Sequence, residues 1–156
     1  DLWMPAAAIR GTATQFLTPT TETTLTIPST AGNVITVGAY DSSTNTLAPF
    51  SGRGYTWNTG QVKPDLVAPG VEITSCAVGG GYESRSGTSM AAPFVSGSCA
   101  LLMQWGILQN NDPFLYGEKM KAYLIRGARQ LPFSVSYPNP QSGYGALCVS
   151  NSLTFV

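Results

Sequence analysis

The chain has 156 residues, of which 43 % are hydrophobic and 10 % are charged, and its eight Lys and Arg are balanced by eight Asp and Glu. This length is typical of one domain, and so apolar a composition excludes intrinsic disorder. A net charge of zero argues against a nucleic acid or an anionic membrane as the partner, because both select for accumulated Lys and Arg. We therefore expect a globular domain that binds neither.

The sequence contains no histidine and three cysteines. A mechanism that needs an imidazole must therefore take it from a segment outside these residues. An odd number of cysteines leaves at least one thiol free, and the spacing of Cys76, Cys99 and Cys148 is not that of a metal site. The small share of charged residues indicates that another polypeptide segment covers part of this surface. We expect the chain to be part of a longer protein.

The first half of the chain is predicted to form short strands separated by turns. Residues 1–32 are expected to be loosely organised, and the turns follow clusters of Gly, Asn and Asp. Short apolar and β-branched runs predict strands between these turns. The predicted extended segments are residues 1–5, 33–39, 66–68, 71–75 and 82–86.

The second half is predicted to contain two helices. Residues 89–105 are small or apolar on nearly every side, which predicts a helix that is buried all round. Pro93 and Gln104 interrupt this run, so we do not expect it to span a membrane. A second helix is predicted at residues 117–126, and residues 143–147 are predicted to be a turn and a short strand. The alternation of strands and helices predicts an α/β fold with a mostly parallel sheet.

The stretch Gly87-Thr-Ser-Met-Ala-Ala-Pro93 places a hydroxyl, that of Ser89, at the first turn of the predicted helix. Backbone N–H groups there lack intrahelical partners, and the helix dipole favours developing negative charge. A nucleophilic Ser89 would have its own N–H as one oxyanion donor. Pro93 has no N–H to bond the Ser89 carbonyl. Taken alone, Thr88 and Ser89 are more simply explained as an ordinary helix N-cap.

The nucleophile-like motif and four further blocks, in a fixed order along the chain, support the chemical interpretation. Gly87–Pro93 resembles the nucleophile motif of the subtilisin-like serine proteases. The other blocks that resemble this family, in its order, are residues 33–39, 50–54, 63–70 and the closing turn 143–147. The resemblance covers residues 23–153.

Residues 23–31 and 117–126 are most similar to clostridial members of the family, among them spore-germination proteases that carry a jelly-roll insert. This implies that residues 1–20 are the end of such an insert and a linker. Residues 21–156 would then be the C-terminal part of the catalytic domain.

The resemblance implies a serine endopeptidase that cleaves protein or peptide substrates through an acyl-enzyme, with Ser89 as the catalytic nucleophile. Thr88 and Met90 would support the nucleophile, and Arg85 and Ser86 would line the leaving-group side of the cleft. The implied fold is the C-terminal half of a three-layer α/β domain whose buried central helix starts at the nucleophile. Plain core packing for Met90 and a solvated loop charge for Arg85 are the alternatives.

The chain also departs from the family pattern, in which the triad follows the order Asp, His, Ser and an Asn completes the oxyanion site. Of these four groups it matches Ser89 alone. An upstream segment of the same protease, carrying the Asp, His and Asn, is the partner that the resemblance implies. A catalytically inactive subtilase-like sensor or scaffold is the main alternative function, and a binding domain that reuses this half-fold is another.

No cofactor is expected for the chemistry, although a structural calcium or sodium ion is compatible with the family. Asp65 is a candidate ligand for such a cation, with a turn or capping role as the commoner alternative. The resemblance implies an extracellular or spore-associated location. It also implies a protein substrate, such as the inactive precursor of a spore-cortex hydrolase, and self-cleavage of a propeptide.

Overall fold

The computed structural model describes Met4 and residues 13–154. The strand predicted at residues 1–5 and much of the linker predicted at residues 1–20 therefore lie outside the described residues. Residues 13–36 form turns and extended segments, in keeping with the loose organisation expected there.

Seven short strands are followed by three helices in the described part of the chain. The strands are β1 (Val37–Asp41), β2 (Thr46–Leu47), β3 (Gly54–Tyr55), β4 (Val62–Lys63), β5 (Leu66–Pro69), β6 (Ile73–Cys76) and β7 (Tyr82–Arg85). The helices are α1 (Thr88–Met103), continued by a π-helical turn (Gln104–Leu108), α2 (Gly117–Arg126) and α3 (Val149–Thr154).

The central sheet has the order β2-β1-β5. Strand β1 pairs in parallel with β5, so that Val37 lies opposite Leu66, and antiparallel with β2. On the far side of β5, the Val67 N–H donates to the Gly145 carbonyl at 3.0 Å, and the Val67 carbonyl accepts from Leu147 at 2.9 Å. The predicted closing turn thereby adds a short fourth segment to the sheet.

Strands β1 and β5 are buried because helices and loops cover both of their faces, as their continuous apolar runs predict. Helix α1 packs across both strands. The buried core cluster comprises Ala39, Ala48, Leu66, Ala68, Ala91, Val95, Leu102, Leu115, Met120 and Leu124. A helix packed on a parallel strand pair is the α/β arrangement expected from the sequence.

The second helix begins and ends where the sequence predicts. Met120 and Leu124 are buried, and Tyr123 is half-buried on the same side. Lys119 Nζ lies 2.6 Å from Asp112 Oδ1, and the Tyr123 hydroxyl donates to Asp112 Oδ2 at 2.8 Å. These hydrogen bonds, that from Lys119 first, lower the pKa of Asp112. The cluster ties α2 to the loop that precedes it.

Helix α1 is confirmed in position, but its burial is one-sided. The buried face consists of Ala91, Val95, Ser98 and Leu102. On the flanks of the opposite face, Phe94 is 42 % and Leu101 is 50 % exposed. This differs from the expectation of burial all round because the described residues place a sheet on one side of α1 and no layer on the other. Cys99 is half-buried, and burial raises the pKa of its thiol.

A buried charge network lies where the sequence suggested a cation ligand. Asp65 is 3 % exposed and Lys63 is 1 % exposed. Asp65 Oδ2 lies 2.7 Å from Lys63 Nζ, and Oδ1 lies 2.7 Å from Lys121 Nζ on α2. Burial lowers the pKa of Lys63, against the opposing effect of Asp65. Because two lysines already balance the Asp65 carboxylate, the geometry favours a structural role for it over cation binding.

The same network explains why β1 starts later than predicted. The Thr36 N–H donates to Asp65 Oδ2 at 2.7 Å, and the Val34 carbonyl accepts from both Lys63 and Lys121 at 3.1 Å. Backbone groups of residues 33–36 are therefore hydrogen-bonded to these side chains instead of to a neighbouring strand, and β1 begins at Val37.

Candidate active site

The segment that carries Ser89 runs from a hairpin into α1. Strands β6 and β7 pair antiparallel from Ile73 opposite Arg85 to Cys76 opposite Tyr82, and the hairpin is largely exposed. Ser86 and Gly87 follow β7, and the helix begins at Thr88. The predicted nucleophile therefore lies in the first turn of α1, at the end of the helix that favours negative charge.

Gly87 is the N-cap of α1, and no side chain makes a capping hydrogen bond there. This excludes the ordinary N-cap role considered for Thr88 and Ser89. Ser89 is exposed, and its hydroxyl makes no hydrogen bond to any of the described residues. Pro93 lies inside the helix, which continues through it to Met103. The Ser89 hydroxyl is thus accessible from outside the described residues.

Gly70 holds the start of this segment against the sheet. The Gly70 N–H donates to the Tyr40 carbonyl at 3.0 Å, and the Gly70 carbonyl accepts from the Gly87 N–H at 2.8 Å. A Cβ added at Gly70 would lie 2.6 Å from Ala39 Cβ and 2.9 Å from the Gly87 carbonyl oxygen. Only a glycine lets the exit of β5 approach both β1 and the segment before Ser89 this closely.

Replacing Gly70 by Ala in the full-length protein is expected to lower its free energy of unfolding by about 1–3 kcal/mol, because the added methyl group must displace both the Ala39 Cβ and the Gly87 carbonyl. Thermal unfolding measures this loss. Gly117→Ala is the matched control, since a Cβ at Gly117 meets no atom within 4 Å. Equal unfolding midpoints for the two variants would contradict the close packing at Gly70.

Arg85 and Ser86, the predicted cleft-lining residues, are exposed just before Gly87. Their polar groups already have partners in the hairpin region. Arg85 Nη2 lies 2.7 Å from Glu83 Oε1 on the same strand, and the Ser86 hydroxyl accepts from the Glu72 N–H at 2.9 Å. Since the Arg85–Glu83 pair is largely exposed, it contributes little to stability.

Met90 and Thr88, the predicted supporting residues, are both half-buried. The Met90 N–H donates to the Gly87 carbonyl at 3.0 Å, which closes the first turn. A Cβ built on Gly87 would lie 3.4 Å from the Met90 sulfur. The Met90 thioether therefore lies beside Gly87, in the loop that leads to Ser89.

Sequence reasoning missed two residues of this region, Gly70 and Glu72. The Pro69-Gly70 pair was noted as part of a family block, but its contact with Gly87 joins residues 17 positions apart. Glu72 adopts a left-handed backbone conformation with φ 52°, which no pattern in the sequence predicts. Among the described residues, no group of three or more His, Cys, Asp or Glu is arranged to hold a metal ion.

The model of the Subtilase family matches residues 14–146 of the chain. The chain belongs to this family. The solved structure of the Clostridium perfringens CspB protease superposes on it with a TM-score of 0.87 and 52 % identity, covering 91 % of this chain and 31 % of that one. The chain therefore has the subtilisin-like α/β fold that the sequence motifs implied, and it resembles a clostridial member of the family.

Two Bacillus subtilis (strain 168) relatives extend the comparison. Serine protease AprX is 35 % identical over 150 residues, covering 83 % of this chain and 32 % of the relative. Minor extracellular protease Vpr is 33 % identical over 119 residues, covering 69 % of this chain and 14 % of the relative. The subtilase chain spans about a third or less of these relatives, and Vpr is by its name an extracellular protease.

Proposed function

We propose that this chain contributes the nucleophile-bearing part of a subtilisin-like serine endopeptidase, with Ser89 as the nucleophile. The observation that carries the proposal is the state of the Ser89 hydroxyl. It is exposed in the first turn of α1, free of hydrogen bonds within the described residues, and not used to cap the helix. A structural serine at a helix start normally uses its hydroxyl for that cap.

In this proposal, Ser89 Oγ attacks the carbonyl of the scissile peptide bond while a histidine from outside this chain accepts its proton, and an aspartate orients that histidine. The amine then leaves with the proton from the imidazole, and water hydrolyses the acyl ester on Ser89. The Ser89 N–H and an asparagine side chain from the same outside segment stabilise the oxyanion. The chain's own contribution is a nucleophile fixed at the positive end of α1.

The remaining site residues take supporting roles. The position of the Met90 sulfur over Gly87 supports a role in shaping the loop beside the nucleophile. Thr88, the first residue of α1, directly precedes Ser89 and is half-buried, which supports a structural role beside the nucleophile. The exposed Arg85 and the neighbouring Ser86 lie on the approach to Ser89 along the chain, which supports their assignment to the leaving-group side of the cleft.

The partner in this proposal is the upstream part of the same protease. It would pack on the face of α1 that the described residues leave uncovered, opposite Ala91, Val95, Ser98 and Leu102, which we call the open face. No charged residue occurs between Thr88 and Asn111, and the small residues Gly97 and Ala100 are exposed on that face. By length and composition alone, residues Thr88–Leu108 are also apolar enough to cross a membrane. Packing of α1 on β1 and β5, in a fold shared with the CspB protease, favours a protein layer as the covering group.

Similarity to the CspB protease and to the extracellular protease Vpr supports a protein substrate and an extracellular location. The alternative that we propose, a spore-associated location, rests on the resemblance of residues 23–31 and 117–126 to clostridial germination proteases. The substrate class that we propose is the inactive precursor of a spore-cortex hydrolase. Self-cleavage of a propeptide belongs to the same proposal, and the chemistry requires no metal or organic cofactor.

The full-length protein is expected to cleave an unstructured protein substrate, and the 156-residue chain alone is expected to have no peptidase activity. A serine hydroxyl without a base is a weak nucleophile, and this chain has no histidine. Release of acid-soluble peptides measures both. Turnover by the chain alone would contradict the proposal, and a folded full-length protein without activity would favour the inactive sensor or scaffold.

A further inference from the structure

Ser86 is exposed, but its hydroxyl is hydrogen-bonded to the backbone of another segment. It lies between the end of β7 and Gly87, and its hydroxyl accepts a hydrogen bond from the Glu72 N–H at 2.9 Å. Glu72 has a left-handed backbone, with φ 52°. A residue with a Cβ adopts this conformation at an energetic cost, so other contacts must hold it. The Ser86 hydroxyl is the contact that the structure provides at the Glu72 N–H.

A second bond lies beside the first. The β6–β7 ladder ends where Ile73 pairs with Arg85. Beyond it, Ser86 bonds Glu72 through its side chain, and the Gly87 N–H donates to the Gly70 carbonyl at 2.8 Å. These two bonds join the exit of β5 to the entry of α1. They fix the two residues that immediately precede Thr88 and Ser89.

We propose that Ser86 is a positioning residue for Ser89. Its hydroxyl holds the left-handed turn at Glu72, which keeps Gly87 against Gly70 and so fixes the direction in which α1 presents Ser89. Rates of nucleophilic attack depend steeply on the placement of the attacking atom, and a small displacement lowers kcat without lowering substrate affinity. This inference rests on Ser89 being the nucleophile.

The alternative is that Ser86 acts only as a lining residue of the cleft, in contact with substrate. The two roles make different kinetic demands. A lining residue that binds ground state and transition state equally changes KM, whereas a positioning residue changes kcat. The rate at which a small fluorophosphonate modifies Ser89 adds a readout that does not depend on extended substrate contacts.

The test uses three variants of the full-length protein. Ser86→Thr and Ser86→Val have nearly the same shape, and only the threonine keeps a hydroxyl that can accept from Glu72. Ser84→Ala is the control, since Ser84 is exposed on the same hairpin and no hydrogen bond of its side chain is found in the described structure. Steady-state kinetics, fluorophosphonate labelling and thermal unfolding are measured for each.

We expect Ser86→Val to lower kcat and the labelling rate by about 5- to 10-fold, the scale of one lost hydrogen bond. KM should stay within about twofold of wild type, and Ser86→Thr and Ser84→Ala should behave as wild type. Equal kcat for the Val and Thr variants, or a change in KM alone, would overturn the positioning role. Full activity of a Ser89→Ala protein would instead overturn the proposed function, so the two failures are distinguishable.

Discussion

Replacing Ser89 by Ala in the full-length protein is expected to lower kcat about 10⁶-fold, the loss seen when the nucleophile of subtilisin itself is removed. The reason is the loss of covalent catalysis, since no other hydroxyl of this chain occupies the motif position in the first turn of α1. Stability should change by less than about 0.5 kcal/mol, because the exposed Ser89 hydroxyl caps nothing and has no partner in the described residues.

Peptide hydrolysis and thermal unfolding check the two halves of this prediction separately. Ser84→Ala removes the same hydroxyl from an exposed serine five residues earlier and should leave both quantities unchanged. A Ser89→Ala protein that keeps a tenth of the activity would reject Ser89 as the nucleophile. One that unfolds would show that the hydroxyl has a structural role absent from the described contacts.

Introducing a charged residue on the open face of α1 is expected to destabilise the full-length protein strongly. In the full-length protein, Ala100→Glu should cost several kcal/mol of stability, because the upstream layer that we propose on this face would bury a carboxylate without a partner. The expected result is a low soluble yield and loss of peptidase activity, measured beside thermal unfolding.

Ala122→Glu is the matched control for that substitution. Ala122 is exposed on α2, where the exposed Glu118 and Arg126 already make the surrounding surface polar. A glutamate there should be tolerated without loss of activity. If Ala100→Glu is as stable and active as Ala122→Glu, then the open face of α1 is exposed to solvent in the full-length protein and no upstream layer covers it.

The sequence predicted those helices and strands whose position is set by the spacing of their own apolar residues. Helix α2 was predicted with its observed ends, since Met120 and Leu124 repeat at helical spacing. Strand β5 was predicted from a short apolar run that is buried on both faces. The start of β1 was predicted four residues early, because Lys121, far away in sequence, binds the Val34 carbonyl that a strand would have paired. The residues next to Val34 in the sequence carry no pattern that predicts a contact with so distant a side chain.

The candidate site divides in the same way. The motif Gly87–Pro93 pointed to Ser89 as the candidate nucleophile, and the match over residues 14–146 confirms the family that this motif indicated. The bond from Glu72 to Ser86 could not be predicted, since it depends on a left-handed residue and on the β6–β7 register. Composition predicted that α1 is a core helix. It did not reveal that this chain supplies the packing layer on one side only.

Mass-spectrometric mapping of a fluorophosphonate adduct on the full-length protein is the most direct test of Ser89 as the nucleophile. Trypsin should release Ser89 on the peptide that follows Arg85, and fragmentation of this peptide locates the adduct. We expect one rapid adduct, on Ser89, together with complete loss of peptidase activity, and much slower labelling of the chain alone. An adduct on another serine that abolishes activity, or full activity with Ser89 modified, would contradict it.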